Sequence, residues 1–190
     1  MQSKPAKPHF RDVTYHSDTE GREDCQRGWH VLATELHLGA VLDVGAGLAL
    51  SKNRIPLCMT QDVAFGLPVE ICANLTVIRD QSFDSVTAFD VLEHVVEDVD
   101  FLNEMCRIAR KYVLLTTPNF NVSHAANGYH CREYTPKEFF HLAAGVKGWV
   151  ISKLWSGEGE GFVRREWVKW SEFQEHTDAH QAVLLGRIDD

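Results

Sequence analysis

Ala40-Val41-Leu42-Asp43-Val44-Gly45-Ala46-Gly47 is a short apolar run that closes on a glycine turn. Because the run does not alternate between apolar and polar residues, it is typical of a strand buried on both faces, as in a parallel sheet. Glycines let the backbone turn tightly and approach a ligand closely. A helix that begins after such a turn offers amide N–H groups to a carboxylate or phosphate. The run therefore predicts a strand, a ligand-binding turn and a short helix over 48–53.

Outward from this run, further strands alternate with helices. Strands are predicted at 55–61, 69–73, 85–89, 112–116, 149–155 and 181–188, with a flexible turn over 157–161. Helices are predicted at 25–36, 98–111 and 136–144; Thr135 and Glu138 form a capping box for the last of these. This alternation predicts an open α/β sheet with right-handed crossovers. The last two strands have no clear helix between them, which indicates an antiparallel pair at one edge.

The chain has 190 residues, a formal net charge of -8 and 44% hydrophobic residues. These values predict one globular domain over 21–190, preceded by a flexible N-terminal arm over 1–20. No apolar run is long enough to span a membrane, and the N-terminus lacks the apolar core of a secretory signal. The five cysteines are widely spaced with no C-x-x-C pair, so a disulfide framework or cysteine zinc site is not expected. A cytoplasmic protein without a membrane or nucleic-acid partner, monomeric or homodimeric, is the expectation.

The residues around the turn favour an adenosine-containing cofactor. Asp62 follows Asp43 by nineteen positions, at the end of the next predicted strand, where its carboxylate could accept both ribose hydroxyl protons. A dinucleotide fold prefers glycine or alanine where Leu50 stands, and the lysine of a phosphate-binding P-loop is missing. Asp43 itself suits a ligand with an ammonium group. The alternative is an ordinary strand–helix turn with no ligand.

Four blocks between Trp29 and Gly145 resemble the class I S-adenosylmethionine (SAM)-dependent methyltransferases, in particular the type 11/12-like group with an L-E-H motif. They are Val41-Leu42-Asp43-Val44-Gly45-Ala46-Gly47, Asp62, Phe83-Asp84-Ser85-Val86-Thr87-Ala88-Phe89-Asp90-Val91-Leu92-Glu93-His94 and Val113-Leu114-Leu115-Thr116-Thr117-Pro118-Asn119. The later stretch His130-Cys131-Arg132-Glu133-Tyr134-Thr135-Pro136 also resembles a block found in many of these enzymes. The L-E-H block is the most specific of the set.

The resemblance implies a Rossmann-like, doubly wound sheet of seven strands, with only the last antiparallel and with helices on both faces. The cofactor would be SAM, with S-adenosylhomocysteine (SAH) as product. The implied cofactor residues are Asp43, Gly45, Ala46, Gly47, Asp62, Val63, Asn74, Leu75, Phe89, Asp90 and His94. Two departures from the family pattern stand out. Ala49 replaces a frequent glycine, and Cys72 or Asn74 stands where an adenine-binding aspartate is common.

Methyl transfer from a sulfonium needs chiefly an in-line arrangement, while a hydroxyl acceptor also benefits from a base. The base candidates are His94 and His130, with Glu133 behind them. Alternatively, His94 only orients its loop and His130 is a solvent-facing residue. Arg132 and Tyr134 are the substrate candidates, although an arginine paired with Glu133 is the commoner arrangement. The remaining histidines, such as His30 and His176, are expected at the surface.

No histidine–cysteine spacing matches a zinc pattern, so no metal is expected. The segment after Phe89 lacks the motif of nucleic-acid amino methyltransferases and the cysteine of carbon-5 cytosine enzymes. A small-molecule or glycan-type acceptor is therefore expected, with a hydroxyl favoured over an amine. Two alternatives remain open: a non-catalytic scaffold with a degenerate methyltransferase fold, and a nicotinamide oxidoreductase, which Leu50 disfavours.

Overall fold

The computed structural model describes residues 19–158 and 162–188 and is built around an eight-stranded sheet. The strands are β1 (Val41–Val44), β2 (Cys58–Asp62), β3 (Ile71–Cys72), β4 (Phe83–Phe89), β5 (Ala109–Pro118), β6 (Trp149–Glu158), β7 (Val163–Trp167) and β8 (His180–Arg187). The helices are α1 (Thr19–Glu35), α2 (Asp98–Ile108), α3 (Phe120–Ser123), α4 (Pro136–Ala144) and α5 (Trp170–Phe173). Short 3₁₀ helices cover Leu50–Asn53, Leu75–Val77 and Leu92–His94. Most of the predicted N-terminal arm, residues 1–18, lies outside the described residues, as does the end of the predicted turn at 159–161.

The strand order is β3-β2-β1-β4-β5-β8-β6-β7. The strands from β3 to β5 are parallel, and the pairs β5–β8, β8–β6 and β6–β7 are antiparallel. The chain moves outward from β1 to β3 and then returns to β4 beside β1. This crossover opens a crevice at the carboxyl ends of β1 and β4, where α/β sheets bind their ligands.

The mostly parallel α/β sheet confirms the predicted fold class, but the count of seven strands is wrong. The additional strand is β7, which pairs with β6 from Glu158–Val163 to Leu154–Trp167 at the sheet edge. It also runs antiparallel, so β8 is not alone in that direction. Because β7 is an edge strand whose residues are exposed or half-buried, it lacks the apolar pattern that identifies a buried strand.

Two apolar cores cover the two faces of the sheet. On one face, Trp29, Leu32 and Ala33 of α1 pack against strand residues such as Leu114 and Leu184. On the other face, α2 and α4 pack against the same central strands, with Leu102, Met105, Phe139 and Ala143 buried. Helices on both faces of the sheet are thereby confirmed. Within the described residues, no helix is both long and apolar enough to span a bilayer.

Candidate cofactor and acceptor site

The glycine turn has the backbone conformation that only glycine adopts easily. Gly45 and Gly47 have φ values of 65° and 52°, in the left-handed region. A Cβ added to Gly45 would lie 2.7 Å from the Val91 side chain, so any larger residue there would collide with the segment after β4. The Ala46 amide donates to the Gln61 carbonyl oxygen at 3.0 Å. The turn is therefore fixed between the carboxyl ends of β2 and β4.

Asp62 lies beside this turn, at the end of β2. Its Oδ2 accepts a hydrogen bond from the Gly47 amide at 3.1 Å, and its Oδ1 accepts one from the Ala64 amide at 2.9 Å. The side chain is buried, yet each carboxylate oxygen has a second lone pair that can accept a hydroxyl proton. The pairing of turn and acid that the sequence predicted is therefore present in the fold.

Asp43 is a buried carboxyl in β1, just before the glycine turn. Its Oδ2 accepts from the Ser51 hydroxyl at 2.5 Å, and its Oδ1 accepts from the Thr87 hydroxyl at 2.9 Å. Burial raises the pKa of Asp43 to about 7, against the opposing effect of these two hydrogen bonds. The side chain thus connects β1 to β4 and to the 3₁₀ helix after the turn. Sequence reasoning missed Ser51 and Thr87, which carry no signal beyond a hydroxyl group.

A small recess of about 20 Å³ lies between α1, the turn and the end of β4. Gln26 and His30 line it from α1, and Phe89 lines it from β4. The expectation that His30 lies at the surface is wrong, since the residue is 3% exposed. Burial, together with the nearby Arg54 charge, lowers the pKa of His30 to about 4, so the imidazole is neutral at pH 7. His176 is likewise buried rather than exposed.

The helix after the glycine turn is short and follows a residue in an unusual backbone conformation. Leu50–Asn53 is a single 3₁₀ turn, and Ala49 before it has a φ of 57°. An L-residue pays a steric cost in this left-handed region that glycine does not pay. This explains physically why a glycine would be favoured at position 49. Replacement of the frequent glycine by Ala49 therefore strains the backbone, in addition to placing a Cβ where glycine has none.

The residues expected near the adenine lie on the other side of Asp62. Val63 is half-exposed, and Phe65, which sequence reasoning missed, is 98% exposed. The Asn74 side-chain oxygen accepts from the Thr76 amide at 3.0 Å and so caps the 3₁₀ helix that Leu75 begins. Leu75 is buried in the core. The exposed apolar surface of Val63 and Phe65, next to a buried carboxylate, suits a nucleoside.

Phe89 ends β4 at the crevice, and Asp90 follows it. Asp90 has a φ of 54°, an unusual value for a residue other than glycine. The Asp90 amide donates to the Thr116 hydroxyl oxygen at 3.0 Å. The Thr116 hydroxyl in turn donates to Asp90 Oδ1, also at 3.0 Å. His180 Nδ1 of β8 is 3.8 Å from the same carboxylate oxygen. The strained conformation is held in place by β5, and it turns Asp90 away from the path of the strand.

The two base candidates lie side by side. The rings of His94 and His130 have their centroids 4.8 Å apart, at an interplanar angle of 82°. His94 is the last residue of the 3₁₀ helix after β4, and His130 lies in the loop before α4. A hydrogen bond from the Cys131 amide to the Glu93 carbonyl oxygen, 2.7 Å long, joins the backbone of this loop to the 3₁₀ helix. The Glu93 side chain is buried and accepts from the Thr117 hydroxyl at 3.1 Å. The fold therefore brings the L-E-H segment and the later block together.

Glu133 holds the His130 ring. His130 Nδ1 lies 2.5 Å from Glu133 Oε1, and the other carboxylate oxygen accepts from the Ser123 hydroxyl and from the Ala125 amide. Burial raises the pKa of Glu133, but the hydrogen bonds from Ser123, His130 and Ala125 outweigh it and keep the pKa below its ordinary value. A charged carboxylate thus orients this imidazole.

The two substrate candidates are engaged elsewhere in this structure. Arg132 forms an ion pair with Asp98 at 3.2 Å and faces Glu138 at 3.7 Å, rather than pairing with Glu133. Tyr134 is fully buried, and its hydroxyl donates to Asp98 at 2.8 Å. Burial and this hydrogen bond raise the pKa of Tyr134. Their contacts fix the start of α2 against the loop before α4.

This chain has a doubly wound sheet, a glycine turn at its crossover and an acidic residue at the end of the next strand, which is the architecture of the class I SAM-dependent methyltransferase fold. Its residues 32–115 match the family described as the methyltransferase domain. No curated protein matches the sequence.

Solved structures of methyltransferases share the fold at low identity. A SAM-dependent methyltransferase from Thermotoga maritima, described as a possible histamine N-methyltransferase, is 15% identical with a TM-score of 0.61, covering 86% of this chain and 89% of that chain. The small RNA methyltransferase HEN1 is 14% identical with a TM-score of 0.65, covering 99% of this chain and 28% of that chain. Magnesium protoporphyrin IX methyltransferase from Synechocystis PCC 6803, solved with bound SAM, is 13% identical with a TM-score of 0.54, covering 86% of this chain and 77% of that chain.

Proposed function

We propose that this chain is a SAM-dependent methyltransferase and that it transfers the methyl group of SAM to a hydroxyl group of a small-molecule or glycan-type acceptor. The observation that carries the proposal is the pair of imidazoles, His94 and His130, 4.8 Å apart at the carboxyl ends of the strands. A hydroxyl must lose its proton to accept a methyl group, whereas an uncharged amine can attack without a base. Two imidazoles beside a buried carboxylate therefore favour the hydroxyl.

The residues around the glycine turn fit the cofactor. Asp62 has lone pairs that suit the ribose hydroxyls, and the exposed Val63 and Phe65 offer apolar surface to the adenine. Gly45 and Gly47 keep the turn free of side chains on the methionine side. When bound, SAM supplies a methyl group already activated on a sulfonium. The protein's part is then to orient the acceptor oxygen, and orientation alone can contribute roughly 7–11 kcal/mol.

The net charge of the chain supports the proposed acceptor class, whereas the similar solved structures do not distinguish between acceptor classes. The similar structures named above include a possible histamine N-methyltransferase, a magnesium protoporphyrin IX methyltransferase and a small RNA methyltransferase, so they do not favour one acceptor class. A formal net charge of -8 opposes binding to a polyanion, because phosphate contacts depend on positive charge. We therefore place a neutral or cationic small molecule, or a glycan, ahead of nucleic acid.

The test is a methyl-transfer assay with radiolabelled SAM and a panel of acceptors. The panel contains sugars and glycans, hydroxylated aromatic compounds, the corresponding amines, and small RNA. Transfer to a hydroxyl compound should fall by about 10²–10⁴-fold in His130→Ala. The matched control is His141→Ala, which removes an exposed imidazole on α4 and should keep full turnover. Transfer only to amines or only to RNA would contradict the proposal, and so would undiminished turnover in His130→Ala.

A further inference from the structure

Two clusters in the described part of the chain have the composition of a metal site: Cys25, Asp90 and His180 form one, and Glu93, His94 and His130 form the other, which alone contains two imidazoles. Glu93, His94 and His130 each offer one ligand atom, and the three atoms lie within 4.8 Å of one another. The cluster is sheltered, with the Glu93 side chain buried and both imidazoles half-buried. No spacing in the sequence predicted this set, because Glu93 and His94 are adjacent while His130 comes from a segment more than thirty residues away.

Each of the two imidazoles has an oxygen atom beside its Nδ1. His94 Nδ1 lies 3.3 Å from the Tyr129 carbonyl oxygen, and His130 Nδ1 lies 2.5 Å from a Glu133 carboxylate oxygen. A carbonyl or carboxylate oxygen can only accept, so each Nδ1 carries the proton and each neutral ring has its lone pair on Nε2. Ligating histidines in metalloproteins almost always donate their other ring nitrogen to such an oxygen.

Two neighbouring residues support this tautomer of His130. The Asn127 side-chain nitrogen is 3.0 Å from His130 Nε2, which is the contact expected when Nε2 accepts. Glu133 is fixed in turn by the Ser123 hydroxyl and the Ala125 amide. The carboxylate behind His130 is therefore itself held in place, as the outer ligands of metal sites usually are. A metal ion at Nε2 would replace the exposed Asn127 amide.

The donor set also indicates which metals fit. Two imidazole nitrogens and one carboxylate oxygen suit Zn²⁺, Fe²⁺ and similar divalent ions, and they suit Mg²⁺ or Ca²⁺ less well, since these prefer oxygen ligands. Three protein ligands leave at least one coordination position open, as in catalytic rather than structural zinc sites. An open position at the carboxyl ends of the strands is accessible to an acceptor molecule.

We propose that Glu93, His94 and His130 bind a divalent transition-metal ion whose open position takes the hydroxyl oxygen of the acceptor. Binding of the metal stands on the cluster alone, whereas its use in methyl transfer rests on the proposed function. In that use, a coordinated hydroxyl becomes more acidic, as a metal-bound water does. The acceptor oxygen loses its proton to solvent water and forms the new bond to the methyl carbon, while the electron pair of the broken carbon–sulfur bond stays on sulfur.

This assignment changes the role of the two histidines. An imidazole whose Nε2 lone pair binds a metal ion cannot also take a proton from the substrate. His94 and His130 would then activate the acceptor through the metal rather than act as bases. Loss of turnover in His130→Ala fits both roles, so metal binding has to be measured directly.

The experiment is calorimetric titration of Zn²⁺ into the full chain after treatment with a chelator and dialysis. Wild-type protein and His141→Ala should each bind one equivalent. His94→Ala and His130→Ala should raise the dissociation constant at least about 100-fold, and Glu133→Gln should raise it about 10–100-fold. Absence of saturable binding to the wild type would overturn the proposal. An unchanged dissociation constant in both His94→Ala and His130→Ala would also overturn it.

A second measurement needs no variant and decides the matter if a substitution prevents folding. Co²⁺ added to the wild-type chain should give the visible absorption of a low-symmetry site with nitrogen and oxygen ligands. The weak spectrum of hydrated Co²⁺ would overturn the proposal.

SAH titration of the metal-free protein separates the two proposals. If SAH binds but Zn²⁺ does not, the metal site fails and the methyltransferase proposal stands. If Zn²⁺ binds with the predicted variant pattern but no hydroxyl compound is methylated, the metal site stands and the proposed acceptor class fails. Methyl transfer that stops with chelator and returns with Zn²⁺ or Mn²⁺ supports both.

Discussion

At the scale of single residues, Asp43 shows how the site depends on a buried acid. The carboxyl accepts from the Ser51 and Thr87 hydroxyls, and burial raises its pKa to about 7. An unfolded chain ionises this group near its ordinary value of 3.8. Between these two pH values the folded protein binds one more proton than the unfolded protein does. The contribution of Asp43 to the free energy of unfolding therefore falls as the pH rises from about 4 to 7, and it is constant above that range.

We expect Asp43→Asn to remove this pH dependence. Relative to the wild type, the variant's free energy of unfolding should increase by about 2–4 kcal/mol between about pH 4.5 and 8, because the wild type loses stability over this range and one pKa unit corresponds to about 1.4 kcal/mol. The measurement is urea unfolding of both proteins at each pH. His30, whose lowered pKa of about 4 gives a contribution that rises with pH from about 4 to 6.5, is present in both proteins and cancels. A difference that does not change with pH would contradict the assigned pKa.

At the scale of secondary-structure elements, the end of α2 differs from the sequence expectation. The apolar pattern and the basic residues after Cys106 predicted a helix to residue 111, but α2 ends at Ile108 and β5 begins at Ala109. The Arg187 guanidinium of β8 donates to the carbonyl oxygens of Cys106 at 2.8 Å, Ala109 at 2.6 Å and Arg110 at 3.0 Å. These carbonyls come from the end of the helix and the start of the strand, so a contact almost 80 residues away helps to end the helix. No local pattern contains that information.

We expect Arg187→Ala to destabilise the protein by about 2–3 kcal/mol. Its hydrogen bonds involve a charged donor, and each such bond contributes about 1.5–3 kcal/mol, although the three are not additive. The guanidinium also lies 4.7 Å from the centroid of the Trp149 ring, a contact that the variant loses. Chemical denaturation provides the measurement, and Arg79→Ala, which truncates an exposed arginine, is the control. Equal stability of the two variants would show that Arg187 does not hold the junction between α2 and β5.

Elements with a local sequence pattern could be predicted, whereas elements that depend on other features of the fold could not. β1 is buried along its whole length, and β4 and β5 are buried over 85–89 and 113–117; these apolar runs identified the three strands. The capping box at Thr135 and Glu138 identified the start of α4, and both of its hydrogen bonds are present. β7 was not predicted because its residues are exposed or half-buried and so carry no apolar pattern. The 3₁₀ geometry of Leu50–Asn53 was not predicted because it depends on the left-handed backbone conformation of Ala49, and helix propensity does not predict that conformation for an alanine.

At the scale of the whole molecule, the crossover between β1 and β4 determines how much of the site could be read from the sequence. Asp43, the glycine turn and Asp62 lie close together in the sequence, in or just after two adjacent strands, so their proximity could be predicted. His94 and His130 could each be identified as candidates, but their contact depends on how the loop before α4 folds back onto Glu93. Glu133 acquires its role only in that folded loop. Long-range contacts of this kind have no signature in a single sequence.

The whole fold should respond to the cofactor product. A ligand that binds only the folded protein at 100 times its dissociation constant stabilises it by about 2.7 kcal/mol. For a chain of this size, that corresponds to a rise in melting temperature of roughly 5–10 °C. Asp62→Ala should lose charged hydrogen bonds to the ribose worth about 1.5–3 kcal/mol, and at the same SAH concentration its rise should be less than half that of the wild type.

The measurement is thermal unfolding with and without SAH, and Asp100→Ala, which truncates an exposed carboxylate on α2, is the matched control. The control should show the full rise. The melting temperature of each variant without ligand corrects for any direct effect of the substitution, which matters because Asp62 also accepts from the Gly47 amide. Equal rises in wild type and Asp62→Ala would mean that SAH does not contact this carboxylate. The crossover between β1 and β4 would then have to bind the nucleoside through other groups, with Asp62 serving only to hold the glycine turn.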